Sequence, residues 1–179
     1  MSPNLVEIQN ALIQQCTLVL DGDVDKTMVE YVHQSLLFFK ASDSPDLEVI
    51  LTSEGGLIFF GLDIYDALRL YEGKVTITVV GYAKSIAVII FQAADVRRMA
   101  QHARLLIHNA SGRFSYDALA NKKDNTRVVQ KMKKTQALLD KILATRTGKS
   151  LKVIRKQNKK DEDLFAEEAL EFGLIDEIV

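Results

Sequence analysis

Apolar runs bounded by polar turns alternate along this chain with stretches of helical spacing, and the alternation predicts the architecture. Residues 17–22, TLVLDG, read as a short strand. From Asp25 to Phe39, Met28, Val32, Leu36 and Phe39 recur at helical spacing and predict an amphipathic helix. LEVILT is the next strand and runs into SEGG. A helix is expected over roughly residues 58–71, followed by a strand from Val75 to Val80. The β-branched residues of that strand form the nearly continuous apolar run of a strand buried on both faces. Ile86 to Phe91 reads as a core helix, and RLLIH as a further short strand. Strands separated by helices predict parallel βαβ units with right-handed crossovers, layered around a sheet. The expected fold class is therefore α/β.

The second half of the chain has a different pattern. From Tyr116 to Thr145 a long helical repeat places Val128, Met132, Leu138, Leu139, Ile142 and Leu143 on an apolar stripe, and Gly148 is positioned to stop it. At about 1.5 Å per residue, such a helix is longer than a domain of this size needs. Part of it is expected to project and pack on another surface, a hint of self-association. The C-terminal AEEALEFGLIDEIV reads as a helix ended by Gly173 and then a short apolar strand. There is no repeat, no low-complexity tract and no linker, and the only prolines are Pro3 and Pro45, so one domain is expected over residues 1–179.

Composition narrows the picture. With 47% hydrophobic and 26% charged residues, a chain of 179 residues can build a core and is neither disordered nor a coiled coil as a whole. A net charge of -1 gives no general attraction to nucleic acid or anionic membranes. The basic stretches 122–134 and 149–160 read as solvated helix faces. The single cysteine, Cys16, cannot form an internal disulfide and lies in an apolar stretch, which suits a buried thiol in a reducing compartment. The N-terminus carries acid rather than a basic leader, and no apolar run reaches the roughly 18 residues of a membrane span. A cytoplasmic protein is expected.

In such folds, chemistry collects at the carboxyl ends of the strands. SEGG follows one strand, GYAKS a second, and His108 with NASG a third. A serine, a histidine and paired glycines are the parts of a serine hydrolase: nucleophile, general base and backbone donors for an oxyanion. Each also has an ordinary structural role. Ser85 starts a helix, where serine is a favoured N-cap; His108 can sit at a core rim; Gly55 and Gly56 are common turn residues. GYAKS is not the G-x-S-x-G elbow of the α/β hydrolases.

Taken together, LTSEGGLIFFGLDIYDAL, VVGYAKSIA, RLLIHNA, ATRTGKSLKVI and EEALEFGLIDEIV resemble, in order and near-spacing, the proteolytic subunit of the caseinolytic protease, ClpP. The resemblance runs from about Thr17 to the last residue. It implies the ClpP/crotonase-like fold of repeated ββα and βαβ units with a long projecting handle helix, the head over about 1–110 and 147–179 and the handle over about 111–146. It also implies a serine endopeptidase acting on peptides or unfolded protein, with Ser85 as nucleophile, His108 as general base and Asp161 as the orienting acid. Gly56 and Ile86 would supply the oxyanion hole through backbone N–H groups, and Ser111, Gly112 and Arg113 would offer backbone to an extended substrate. No metal or organic cofactor is implied. The implied assembly is a heptameric ring, stacked in the family as a 14-mer, fed by an AAA+ ring ATPase.

Several positions depart from the family pattern. Glu54 replaces a proline beside the glycine pair, Lys84 replaces a small residue before Ser85, and IHNAS lacks the family's proline. The segment between Ser85 and His108 is two residues short, and about four residues are added in the handle around NKKDN. Within KKDEDLF, Glu162 or Asp163 would replace Asp161 if the register slips. The strand that carries aromatic docking residues in the family has Glu48 and Ile50 here. A catalytically silent ring subunit is the alternative reading, and an acyl-CoA enzyme of the crotonase type a more distant one.

Overall fold

The computed structural model describes residues 5–111 and 122–179. Helix α1 (Leu5–Gln14) leads through a bend at Cys16 into β1 (Thr17–Val24). Helix α2 (Lys26–Lys40) follows at once, its first turn capped by the Asp25 carboxylate, which accepts from Met28 N–H at 3.0 Å. Strand β2 (Leu47–Gly56), helix α3 (Ile58–Arg69), strand β3 (Val75–Lys84) and the short helix α4 (Ile86–Phe91) come next. Two short strands, β4 (Val96–Met99) and β5 (Arg104–Leu106), complete the first part. The long α5 (Lys122–Thr147), α6 (Leu151–Asn158), β6 (Leu164–Phe165), α7 (Ala166–Phe172) and β7 (Glu177–Ile178) complete the chain.

The main sheet runs β1-β2-β3-β4-β7, with every neighbouring pair parallel. Strand β3 forks. Its first half, Thr76 to Val79, pairs with β4, while its end, Tyr82 to Lys84, pairs with β5. This fork separates β5 from β4 and carries β5 toward the mouth of the sheet. The antiparallel β6 then closes on β5, the one described departure from the expected parallel order. The core lies between the sheet and helices α2 to α4. Every residue of α4 is buried, as a helix apolar on all sides requires.

The α/β layering matches the expectation from the pattern. The strand expected over Val75 to Val80 runs on to Lys84, immediately before Ser85. The long helix ends at Thr147, and Gly148 follows in the left-handed region at φ 69°, which a side chain would strain. Its expected start at Tyr116 lies outside the described residues. Cys16 departs from expectation: it is half-buried at the bend before β1 instead of enclosed in the core. Among the described residues, no helix is long and apolar enough to cross a membrane.

Candidate active site

Strand pairing positions the two central side chains. Lys84 is in register with Leu106, and the Ser85 N–H donates to Leu106 O at 2.8 Å. Continuing that register by two residues delivers His108 beside the β3–α4 junction. Ser85 itself has φ 55° and ψ -125°, a backbone conformation that costs a side-chain-bearing residue on the order of 1–3 kcal/mol. Its hydroxyl makes no capping hydrogen bond. The N-cap role expected of serine at this position is therefore not taken by the side chain, and the hydroxyl is left for other partners.

A narrow cleft of about 50 Å³ is lined by Ser85, His108, Gly56, Ile86 and Ser111, with Asn158 and Gln136 deeper in. The residues expected from the sequence to act as nucleophile, base and oxyanion donors thus line one cavity. Gly112 and Arg113 lie outside the described residues. No hydrogen bond joins Ser85 to His108 among the described residues. Such bonds are often long in unliganded sites and tighten when substrate binds.

The oxyanion side is built from backbone. Leu57 N–H donates to Val24 O at 2.9 Å, so strand alternation turns the Gly56 N–H away from β1. Ile86 opens α4, where an N–H has no intrahelical acceptor. Gly55 lies against Ser85: at φ 100°, a Cβ placed there would stand 2.8 Å from both Lys84 O and Ser85 Cβ. Only glycine lets the two loops approach this closely. Ser53, which sequence reasoning passed over, fixes this turn. It is buried, accepts from Gly55 N–H at 3.0 Å and donates to Gly22 O at 2.5 Å.

The two unfamiliar neighbours find each other. Lys84 Nζ sits 3.1 Å from Glu54 Oε1 and 5.1 Å from the centre of the Tyr82 ring. Its ammonium is therefore engaged away from Ser85, and the Glu54 carboxylate has a counter-charge beside the oxyanion loop.

Asp161 is placed differently from Ser85 and His108. It is exposed, three residues beyond the end of α6, at φ 53°, and no hydrogen bond or ion pair joins it to His108. Glu162 is likewise exposed. Asp163 faces β5, with Oδ2 3.5 Å from Arg104 Nη1 and Oδ1 buried without a partner. The polar residue of this region that lines the cleft is Asn158. Behind it, the fully buried Asp140 of α5 accepts from Gln136 Nε2 at 2.7 Å, Arg155 Nε at 2.9 Å and Asn158 Nδ2 at 3.0 Å. Gln136 Oε1 in turn accepts from Ala110 N–H, two residues past His108. This network ties the long helix and α6 to the histidine loop. Its members are far apart in sequence and lie in no motif. No group of three or more His, Cys, Asp or Glu among the described residues is arranged to hold a metal ion.

A family model described as Clp protease matches residues 2–179. Among solved structures, a point mutant of ClpP1 from Listeria monocytogenes superposes with a TM-score of 0.84. The match is 22% identical and covers 96% of this chain and 95% of that one.

Proposed function

The chain belongs to the Clp protease family, and from that premise we propose that it is a serine endopeptidase working inside an oligomeric ring. The observation that carries the reading is the strained backbone of Ser85, which holds an uncapped hydroxyl at a strand–helix junction in the same cleft as His108. Strained backbone of this kind persists where the surrounding structure holds it, and it clusters at functional sites.

In the proposed reaction, an extended peptide lies along the Ser111 to Arg113 segment. His108 removes the Ser85 hydroxyl proton as Oγ attacks the scissile carbonyl. The N–H groups of Gly56 and Ile86 receive the developing oxyanion, helped by the α4 N-terminus. His108 then returns the proton to the leaving amine, and water releases the acyl group by the same steps in reverse order of partners. Asp161 is proposed to accept from the imidazole once the loop between α6 and β6 closes on His108. None of these steps requires a cofactor. A heptameric ring, stacked or single, and feeding by an AAA+ ATPase belong to the same proposal, as does a cytoplasmic location.

The test is labelling by a fluorophosphonate probe, read alongside particle mass in solution. The wild type is expected to take up label, Ser85→Ala none, and Asp161→Asn far less. An unlabelled wild type in an assembled ring would leave only the silent-subunit reading. Full labelling of Asp161→Asn with loss in Asp163→Asn would move the third member two residues along.

A further inference from the structure

The cleft holds one polar atom without a partner. Asn158 is 2% exposed, and its Oδ1 is buried with no hydrogen bond. Its orientation is not arbitrary. The carboxylate of Asp140 accepts hydrogen bonds and cannot donate them while ionised, so the Asn158 amide must present its NH2 to it, as it does at 3.0 Å. Rotating the amide would set oxygen against oxygen. Asp140 is held in turn by Gln136 and Arg155, so the arrangement is braced from two helices. The Asn158 Oδ1 is therefore fixed as an acceptor beside the cleft that Ser85 and His108 share.

A buried acceptor left without a partner is costly, and an enclosed one beside a cleft is commonly met by a ligand or an ordered water. Around it the lining carries Ile89, Ile107, Leu139 and Leu143, together with Gln136, whose amide is already engaged by Ala110 N–H and the Asp140 carboxylate. A side chain entering this cavity meets largely apolar walls and, in Asn158 Oδ1, an acceptor held in place with no partner of its own. The volume of about 50 Å³ admits only a short one. On the reading that Ser85 is the nucleophile, the residue whose carbonyl is attacked directs its side chain into this space.

We infer that Asn158 is a specificity-determining residue, selecting peptides whose side chain at the cleaved position is short and carries a hydrogen-bond donor, with threonine the best fit. Threonine and valine have nearly the same shape, so the discrimination rests on the hydroxyl. A site built to bond a substrate hydroxyl rejects the analogue that lacks it far more strongly than an apolar pocket rejects an added methyl.

The experiment compares two fluorogenic peptides that differ only in threonine or valine at the cleaved position. The assembled wild-type protein is used, with its fluorophosphonate labelling recorded in parallel. A kcat/KM ratio of at least about tenfold in favour of threonine is expected, and Asn158→Leu is expected to invert the preference. A labelled wild type that cleaves the valine peptide as well as the threonine peptide overturns the inference and leaves the peptidase reading standing. An unlabelled wild type removes the peptidase reading itself. If folded Asn158→Leu, checked by circular dichroism, loses labelling together with both cleavages, Asn158 acts on His108 and not on substrate.

Discussion

Ser85 and Lys84 are adjacent in sequence and opposed in environment. A lysine next to a serine nucleophile invites a dyad in which the amine serves as base, but here the ammonium is directed to Glu54 and the Tyr82 ring. Glu54 is mostly exposed, so the pair is worth at most about 1 kcal/mol. Lys84→Met and Glu54→Gln are therefore expected to move the urea midpoint only slightly and to retain fluorophosphonate labelling of Ser85. Loss of labelling in Lys84→Met would make the lysine the base. At this scale the sequence was legible where a residue's role follows from its own strand end. The family resemblance singled out Ser85, His108, Gly56 and Ile86, and strand pairing brings all four to one cleft. The acid expected beside His108 was not legible in the same way. Asp161 depends on how a loop folds back against β5, and Asn158 and Asp140 depend on the packing of two helices that no local pattern encodes.

Among the elements, the large ones were readable and the small charged ones were not. Strand β4 is VRRM, and two arginines in four residues mask its pattern. It exists because both find carboxylates on β7 and just before it: Arg98 Nε lies 2.8 Å from Glu177 Oε2, and the buried Arg97 holds Asp176 through Nε at 3.0 Å and through Nη2. Arg97 also donates to Gln92 Oε1 at 2.8 Å and Gly173 O at 2.9 Å, so it pins the C-terminal GLID turn to the sheet. Helix α1 was not foreseen, although Asn4 directly before it and Glu7 three residues later form a helix-start signal in the sequence. The C-terminal clasp predicts a pH dependence. Burial pushes the Asp176 carboxyl up, but hydrogen bonds from Arg97 and the charges of Arg97 and Arg146 outweigh it and hold it below its ordinary value. A carboxyl lowered on folding contributes stability that is present above the unfolded value of about 3.9 and is lost as pH falls through the folded value. The urea midpoint should therefore fall as pH drops below about 4, and Asp176→Asn should lower it at neutral pH while flattening that acid limb. An unchanged acid limb in the variant would place the titrating group elsewhere.

For the whole molecule, an apolar groove lies open beside the cleft of Ser85 and His108. Phe59 is 75% exposed and Leu57 61% exposed in the first turn of α3 and just before it. Together with Leu62 and with Val128 and Met132 of the long helix, they line an open groove of about 600 Å³. Exposed apolar residues gathered in one groove, in contrast to scattered ones, mark an interaction surface. That groove shares Gly56, Ile58, Ala110 and Ser111 with the cleft of Ser85 and His108. Whatever covers it also touches Gly56 and Ser111, so assembly and the proposed activity should be coupled if the occupant is a second copy in the proposed ring. Phe59→Glu separates the two contributions. Because the ring of Phe59 is largely exposed in one chain, the substitution should change the stability of a monomer by no more than about 0.5 kcal/mol. In an interface the new carboxylate would be desolvated without a partner, at a cost of several kcal/mol. Sedimentation is expected to show the wild type as a particle of several chains and Phe59→Glu as a folded monomer of 20.1 kDa, with Ser85 labelled more slowly in the monomer. A variant that keeps the wild-type mass would place the contact elsewhere, and a monomer labelled at the wild-type rate would show that the oxyanion loop is set by this chain alone.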